Sequence, residues 1–266
     1  MLSHQEAPVE RPWLWMFVGV FGTLLAALLF WPGMPLEWKM YAVVHGVCAQ
    51  QHNIIIGDAQ LPICARNIGI YSSFLLTLTY IYTIGRARAG GLPPLGVGIA
   101  LLAFVAIMAV DGFNSFFLDL GQPNLYPPDN RLRTTTGMGM GISIAVMLHL
   151  VFTKTLRKDV DDFMPVLKGW GELLGIMAIN ALVLAALYGN LSFMFWPLAF
   201  IAFFGLTGVL YVVCLILLSL VLGYEGRVTQ LRQLARPATL ALIPTLVVLG
   251  MMAGFRFWLE SLGIVI

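Results

Sequence analysis

Apolar runs long enough to cross a lipid bilayer follow one another along almost the whole chain. A bilayer core of about 30 Å needs roughly 20 apolar residues in a helix. Of the 266 residues, 59% are hydrophobic and only 11% are charged, whereas a soluble domain carries about 25% charged residues. So little charge cannot cover a surface that faces water. We therefore predict an all-α integral membrane protein embedded in a lipid bilayer.

The apolar runs divide one membrane domain, residues 1–266, into about seven transmembrane helices. The predicted spans cover residues 13–31, 65–84, 95–110, 136–152, 169–187, 194–222 and 238–262. Two longer connections, 32–63 and 111–135, fall on the same side of the predicted membrane. We expect them to form a small cap made of a helix, a hairpin and a proline-rich loop.

Lysine and arginine residues are concentrated in the connections on the other side of the predicted membrane. These connections contain Arg86, Arg88, Lys154, Arg157, Lys158, Lys168, Arg227, Arg232 and Arg236. Because basic loops are retained in the cytoplasm, we predict a cytoplasmic N-terminus, a C-terminus outside and a cap on the outer face. The net charge of +2 is too small to indicate a nucleic acid as a partner.

Two of the three cysteines lie in the first cap segment. A Gly-Asp pair between two short apolar runs predicts a hairpin in which Ile56 pairs with Ala59. The same register places Cys64 opposite Gln51, about one helical turn from Cys48. Since the outer side of a membrane is usually oxidising, a disulfide between Cys48 and Cys64 is the first interpretation.

A metal site is the second and less favoured interpretation of this segment. A helix from Glu37 to Gln51 would place His45, Cys48 and His52 close to one face, with Cys64 nearby. Imidazole and thiolate groups are ligands for zinc or copper. The spacing matches no strong metal motif, so the cofactor stays unknown, with a metal possible but not favoured.

Arginines accompany the outer ends of two predicted helices, whose positive dipole ends point outward. Helix N–H groups and guanidinium groups together can bind an anion, such as an anionic lipid headgroup, a polyprenyl phosphate or a small solute. The candidate residues are Arg66, Asp111, Asn130, Arg131 and Arg133.

The same residues also have a purely structural interpretation, because charges at membrane depth are usually paired. Asp111 ends the third predicted span and is the expected counter-ion of Arg66 and Arg131. Arg133 would then extend to the lipid phosphates. A paired network can also bind an anion, so the two interpretations are compatible.

Four polar residues fall inside the predicted spans, His149, Asn180, Arg256 and Glu260. His149 is a candidate proton carrier or axial ligand of a haem or chlorophyll, with a packing histidine as the alternative. Arg256 and Glu260 are four residues apart and should form an ion pair within one helix.

Short motifs in the cap resemble an uncharacterised family of bacterial and archaeal membrane proteins. The family has a Cys-His-Gln element, a Cys-Ala-Arg-Cys-x-Gly element, an Asp-Gly element, and Asn-x-x-Arg followed by Thr-Gly. The similar residues here are Cys48, Cys64-Ala65-Arg66, Gly69, Asp111-Gly112, Asn130-Arg131-Leu132-Arg133 and Thr136-Gly137. Ala49 and Asn67 replace a His and a Cys of the family pattern, so a four-ligand metal site implied by the family would lose two ligands. The resemblance implies a prokaryotic cytoplasmic membrane protein with a site in the cap, but no particular reaction.

Three functions are open on this evidence. The first is a binding site for an anion or a lipid headgroup on the outer face. The second is a membrane-embedded redox or metal-dependent enzyme that uses Cys48 and Cys64. The third is an accessory subunit of a larger membrane complex, in which the same residues are structural.

Overall fold

The structure is a computed structural model that describes residues 6–48, 52–189 and 191–264. Most of this part of the chain is helical. The helices are α1 (Arg11–Phe30), α2 (Leu36–Val44), α3 (Ala65–Thr83), α4 (Leu95–Asp119), α5 (Asn130–Leu156), α6 (Trp170–Tyr188), α7 (Phe195–Val221) and α8 (Ala235–Ser261). The strands are β1 (Asn53–Ile56), β2 (Ala59–Cys64), β3 (Ala89–Gly91) and β4 (Asp161–Pro165). β1 pairs with β2 antiparallel, and β3 pairs with β4 parallel.

Among the described residues, six helices have the length and mean hydropathy needed to cross a membrane. They are α1, α4, α5, α6, α7 and α8. The chain is therefore a multi-pass integral membrane protein of mostly helical structure. The second predicted span is present as α3, but its Ser, Thr and Tyr residues make it less apolar than the other long helices. The count of seven spans stays a prediction.

The helix α3 packs most extensively against α5, and next against α7. Small residues allow this close approach. A Cβ atom on Gly141 of α5 would overlap the carbonyl oxygen of Ile70, and one on Gly205 of α7 would overlap that of Tyr71. Because neighbouring helices cover α3, its buried Ser72, Ser73 and Thr77 do not face lipid.

The helices α4 and α5 are longer than the sequence predicts, which reduces the second cap segment, predicted as 111–135, to a loop over 120–129. The extension of α4 carries buried Asp111, Asn114 and Ser115 on one face and exposed Phe113 and Phe116 on the other. This arrangement follows helical spacing, with polar residues turned toward the bundle and aromatic residues toward lipid. The prediction of a loop from residue 111 was wrong because α4 continues to Asp119.

The helix predicted for residues 37–51 is shorter in the structure. α2 is followed by one 3-10 turn, His45–Val47, and Cys48 already has an extended backbone with φ −146° and ψ 159°. Residues 49–51 lie outside the described part. The helical face predicted for His45, Cys48 and His52 is therefore wrong beyond Val47.

The hairpin forms with Ile56 opposite Ala59, as its turn predicts. A bulge between Asn53 and Ile55 then shifts the register, so that Asn53 lies opposite Cys64. A regular ladder would have placed Gln51 there. The sequence contains no feature that requires this bulge.

The segments outside the long helices gather at two ends of the molecule. The cap end contains α2, the β1–β2 hairpin, the loop 120–129 and the turn Ser192–Met194, whereas the opposite end contains β3, β4 and the connections 157–169 and 222–234. Ten of the fifteen Lys and Arg residues lie at or near the opposite end. The predicted orientation, with the cap end outside, follows from this asymmetry.

Candidate functional site

A buried ion pair between α3 and α4 lies at the centre of the polar residues near the cap end. Arg66 donates to Oδ2 of Asp111 from Nη2 at 2.6 Å and from Nε at 3.2 Å. Its Nη2 also donates to Oγ of Ser115 at 2.9 Å. The carboxylate of Asp111 is only 1% exposed, whereas the side chain of Arg66 is 20% exposed.

Two further groups satisfy the carboxylate of Asp111. The hydroxyl of Tyr126 donates to Oδ1 at 3.0 Å, and that of Thr136 donates to Oδ2 at 3.2 Å. Asn114 holds the loop that carries Tyr126, because its Oδ1 accepts from the backbone N–H groups of Leu125 and Tyr126. Burial and the hydrogen bond to Asp111 raise the pKa of Tyr126, so its hydroxyl stays protonated and donates.

Arg133 belongs to this buried group and does not extend to the lipid phosphates, so that part of the structural interpretation was wrong. Its residue is 5% exposed. Its Nε donates to Oγ of Ser115 at 3.4 Å, and its Nη1 donates to Oδ1 of Asn130 at 3.3 Å. Both acceptors are neutral. Within the part of the chain that the structure describes, no carboxylate forms an ion pair with Arg133.

Arg131 was predicted to pair with Asp111, and the structure places it elsewhere. It is exposed, and its guanidinium lies over the ring of Tyr188 at 5.3 Å from the centroid. Asp129 caps α5 by accepting from the backbone N–H groups of Arg131 and Leu132 at 2.9 and 3.4 Å. Arg131 therefore lies at the rim of the buried polar group.

The arginine cluster, defined as Arg66, Asp111, Ser115, Arg133 and Thr136, contains two guanidinium groups and one carboxylate. Ser115 Oγ accepts from both arginines, which brings their like charges close together. The single carboxylate is paired with Arg66. The five residues of the cluster thus carry one excess positive charge, and all of them except Arg66 are buried.

His52 lies beside the arginine cluster, and its Nε2 is 3.7 Å from Oδ1 of Asp119. Burial, and then the positive charge of Arg133, lower the pKa of His52, whereas Asp119 acts in the opposite direction. The imidazole is therefore neutral at neutral pH and adds no charge to the site.

The two cap cysteines are neighbours, but the predicted disulfide is absent from the structure. The backbone N–H of Cys64 donates to Sγ of Cys48 at 3.5 Å. A hydrogen bond to the Cys48 sulfur, followed by burial, raises the pKa of the Cys64 thiol well above its usual range. The thiol form of Cys64 is thus strongly favoured over the thiolate.

The four proposed metal ligands are not brought together. His45 binds Glu260, and His52 lies near Asp119. In the ranges 6–48, 52–189 and 191–264, no group of three or more His, Cys, Asp and Glu side chains is placed to hold a metal ion. The predicted alignment of the two histidines does not form, because α2 ends at Val44 and the following 3-10 turn ends at Val47.

A separate contact joins the cap to α8. Arg256 Nε donates to Glu260 Oε1 at 2.8 Å, so the predicted ion pair within one helix forms. Glu260 also lies 2.9 Å from Nε2 of His45, whose ring stacks on Phe257 with 4.3 Å between centroids. Since His45 is buried, this contact fixes the end of α2 against α8.

The two remaining intramembrane polar residues are buried. His149 Nε2 lies 3.0 Å from the carbonyl oxygen of Arg86, and its ring meets Tyr82 edge-on. Asn180 Nδ2 donates to the carbonyl oxygen of Ile176, one turn earlier in α6. Each side chain is therefore oriented by one backbone carbonyl group.

Sequence reasoning missed several members of the site, namely Ser115, Tyr126, Thr136 and the His45 contact with Glu260. A signal was present for Ser115, which follows Asp111 by four residues and shares its face if the helix continues. Tyr126 and His45 had no comparable signal, because their partners are distant in sequence.

One family model matches the chain, over residues 48–147, and is described as predicted membrane protein (DUF2085). This range contains the stretch from Cys48 to Gly141 on which the resemblance was based, and also the whole arginine cluster. No curated protein and no solved structure matches the chain.

Proposed function

We propose that the arginine cluster binds an acidic group, either a small anion or the headgroup of an anionic lipid, at the outer face of the membrane. The observation that carries this proposal is the buried guanidinium of Arg133, which contacts only neutral acceptors among the described residues. A guanidinium in such a place normally has an anionic partner.

The electrostatics of the cluster favour a ligand over a closed structural network. Asp111 compensates one guanidinium, and its two oxygens already accept from Arg66, Tyr126 and Thr136. Arg133 forms no ion pair of its own among the described residues, and Arg66 repels it, while Asp111 and Asp119 attract it only as neighbouring charges. An acidic ligand would supply the missing negative charge and would accept charge-assisted hydrogen bonds from Arg133.

The rim of the cluster suits an approach from outside. Arg131 is exposed at the first turn of α5, two residues before Arg133. Its stacking on Tyr188 holds the guanidinium in place without using its hydrogen-bond donors. Arg131 would attract an anion, and Arg133 would bind it.

Isothermal titration of inorganic phosphate into the purified full chain tests this function. We expect saturable binding, and at least a tenfold weaker affinity in Arg133→Gln, because hydrogen bonds to charged groups contribute about 1.5–3 kcal/mol. Arg131→Gln should have a smaller effect, since Arg131 is exposed and its charge is screened.

Arg232→Gln is the matched control, because Arg232 is exposed at the opposite end. Circular dichroism would show that each variant keeps its helical content. Absence of phosphate binding, or equal affinity in wild type and folded Arg133→Gln, would contradict the proposal.

The redox alternative is less well supported. The contact between Cys48 and Cys64 favours it, but nucleophilic thiol chemistry requires the thiolate. The raised pKa of Cys64 opposes thiolate formation. We therefore place anion or headgroup binding ahead of a thiol-based enzyme.

A further inference from the structure

An apolar cavity of about 430 Å³ lies between α1, α7 and α8. A smaller cavity lies closer to the arginine cluster. The second cavity, of about 360 Å³, lies between α4, α5 and α6. Its volume falls at the lower end of the range for small-molecule sites, about 300–1,000 Å³. Ile107, Leu132 and Met177 line it and are exposed on the lipid-facing side. A ligand could thus enter from the bilayer.

This cavity lies directly below the arginine cluster. On α4, Ile107 lines the cavity, and Asp111 follows it one helical turn closer to the cap end. On α5, Thr136 lines the cavity and also donates to Asp111. The charged site and the apolar cavity therefore meet at Thr136.

One polar atom of a residue that lines the cavity has no hydrogen-bond partner among the described residues. Asn180 lines the cavity and is 4% exposed. The carbonyl oxygen of Ile176 can only accept, so it fixes Nδ2 as the donor and leaves Oδ1 as the free end of the amide. Oδ1 has no hydrogen-bond partner among the described residues. A buried carbonyl oxygen in this state requires a hydroxyl or N–H donor.

Asn180 lies well below the headgroup level. It precedes Tyr188 at the cap end of α6 by eight residues, which corresponds to about 12 Å along the helix axis. A donor that reaches Asn180 must therefore be carried partway down an apolar chain.

We propose that the ligand is a single-chain acidic lipid with a hydroxyl partway along its chain. The acidic group binds Arg133, the chain lies in the cavity between α4, α5 and α6, and the hydroxyl donates to Asn180 Oδ1. This inference rests on the proposed function of the arginine cluster and adds the class of the ligand.

Competition between stearate and 10-hydroxystearate tests the inference. The full chain in phosphatidylcholine nanodiscs would receive both acids at equal concentration, and native mass spectrometry would give the ratio of bound species. We expect the ratio of bound 10-hydroxystearate to bound stearate to be about three- to tenfold higher in wild type than in Asn180→Leu. This is the difference expected for one hydrogen bond. Comparison with the variant cancels the different partitioning of the two acids into the bilayer.

A second pair of variants tests the cavity itself. Ala181→Phe places a bulky side chain in the cavity, whereas Ala178→Phe lies on an exposed position of the same helix outside the cavity. We expect at least a tenfold loss of stearate binding in Ala181→Phe only, with phosphate affinity unchanged in both variants. Stearate binding that survives Ala181→Phe, or an acid ratio unaffected by Asn180→Leu, would overturn the inference.

The two proposals fail in different ways. Phosphate binding that depends on Arg133, together with stearate binding insensitive to Ala181→Phe, would keep the anion site and reject the lipid. Absence of phosphate binding would reject the anion site itself.

Discussion

At the residue scale, Asp111 supplies the only carboxylate of the arginine cluster, and its removal should show how strongly the two guanidinium groups depend on it. We predict that Asp111→Asn lowers the free energy of unfolding by about 3–5 kcal/mol, because it leaves buried positive charge uncompensated. Denaturant unfolding in detergent, followed by circular dichroism, would measure the loss.

Asp119→Asn is the matched control, since Asp119 lies eight residues later on α4 and its side chain is 43% exposed. It should change the unfolding free energy by less than about 1 kcal/mol. A similar small loss in both variants would mean that the arginine cluster is solvated and that Asp111 is not an essential counter-ion.

The sequence alone did not predict the different roles of Arg131 and Arg133. Residues two positions apart in a helix, such as Arg131 and Arg133, point about 200° apart. Only one of these arginines can therefore face the bundle. The sequence prediction began the helix at residue 136 and therefore had no helical phase for either side chain. Once α5 begins at Asn130, Arg133 turns inward and Arg131 turns outward.

At the element scale, the packing of α5 on α3 depends on a glycine. We predict that Gly141→Ala lowers the free energy of unfolding by about 1–3 kcal/mol. The added Cβ would overlap the backbone of Ile70 and force the helices apart. Gly98→Ala on α4 is the control, because a Cβ there meets no atom within 4 Å.

The control should behave in the opposite sense. Alanine is favoured over glycine in a helix by about 1 kcal/mol, so Gly98→Ala should be neutral or slightly stabilising in thermal unfolding. If Gly141→Ala behaved like Gly98→Ala, the contact between α3 and α5 would be looser than the structure shows.

The sequence predicts some features of the β1–β2 hairpin and of the adjacent helix α2, but not others. The turn after Ile56 set the pairing with Ala59, because a tight turn fixes the local register. The bulge at Asn53 and the end of α2 at Val44 depend on contacts with distant elements, such as His45 with Glu260. Local pattern does not contain those contacts.

At the scale of the whole molecule, the apolar composition was sufficient to predict the class of protein. It did not predict that α3 lies between other helices. No 18-residue stretch of this helix is as apolar as those of α5 and α7, which cover it. A helix buried among others has no need of a fully apolar surface. Its Ser and Thr residues are therefore compatible with packing against other helices, and mean hydropathy alone does not identify a helix in this position.

The arrangement of charge across the molecule leads to the last prediction, that the cap end faces outward. Ten of the fifteen basic residues lie at or near the opposite end, and such an excess is retained in the cytoplasm. Single cysteines at Leu125 and Phe163, which are 81% and 99% exposed at the cap end and the opposite end, would report the orientation. A variant with its native cysteines replaced by serine would carry them.

A membrane-impermeant maleimide added to intact cells should label Leu125→Cys and spare Phe163→Cys, and both should react after the membrane is opened. This result would leave the arginine cluster accessible to anions and lipids of the outer leaflet, as the proposed function requires. The reverse labelling would place the cluster at the cytoplasmic leaflet. The same site would then take its acidic ligand from inside the cell, and the outer-face assignment would be wrong.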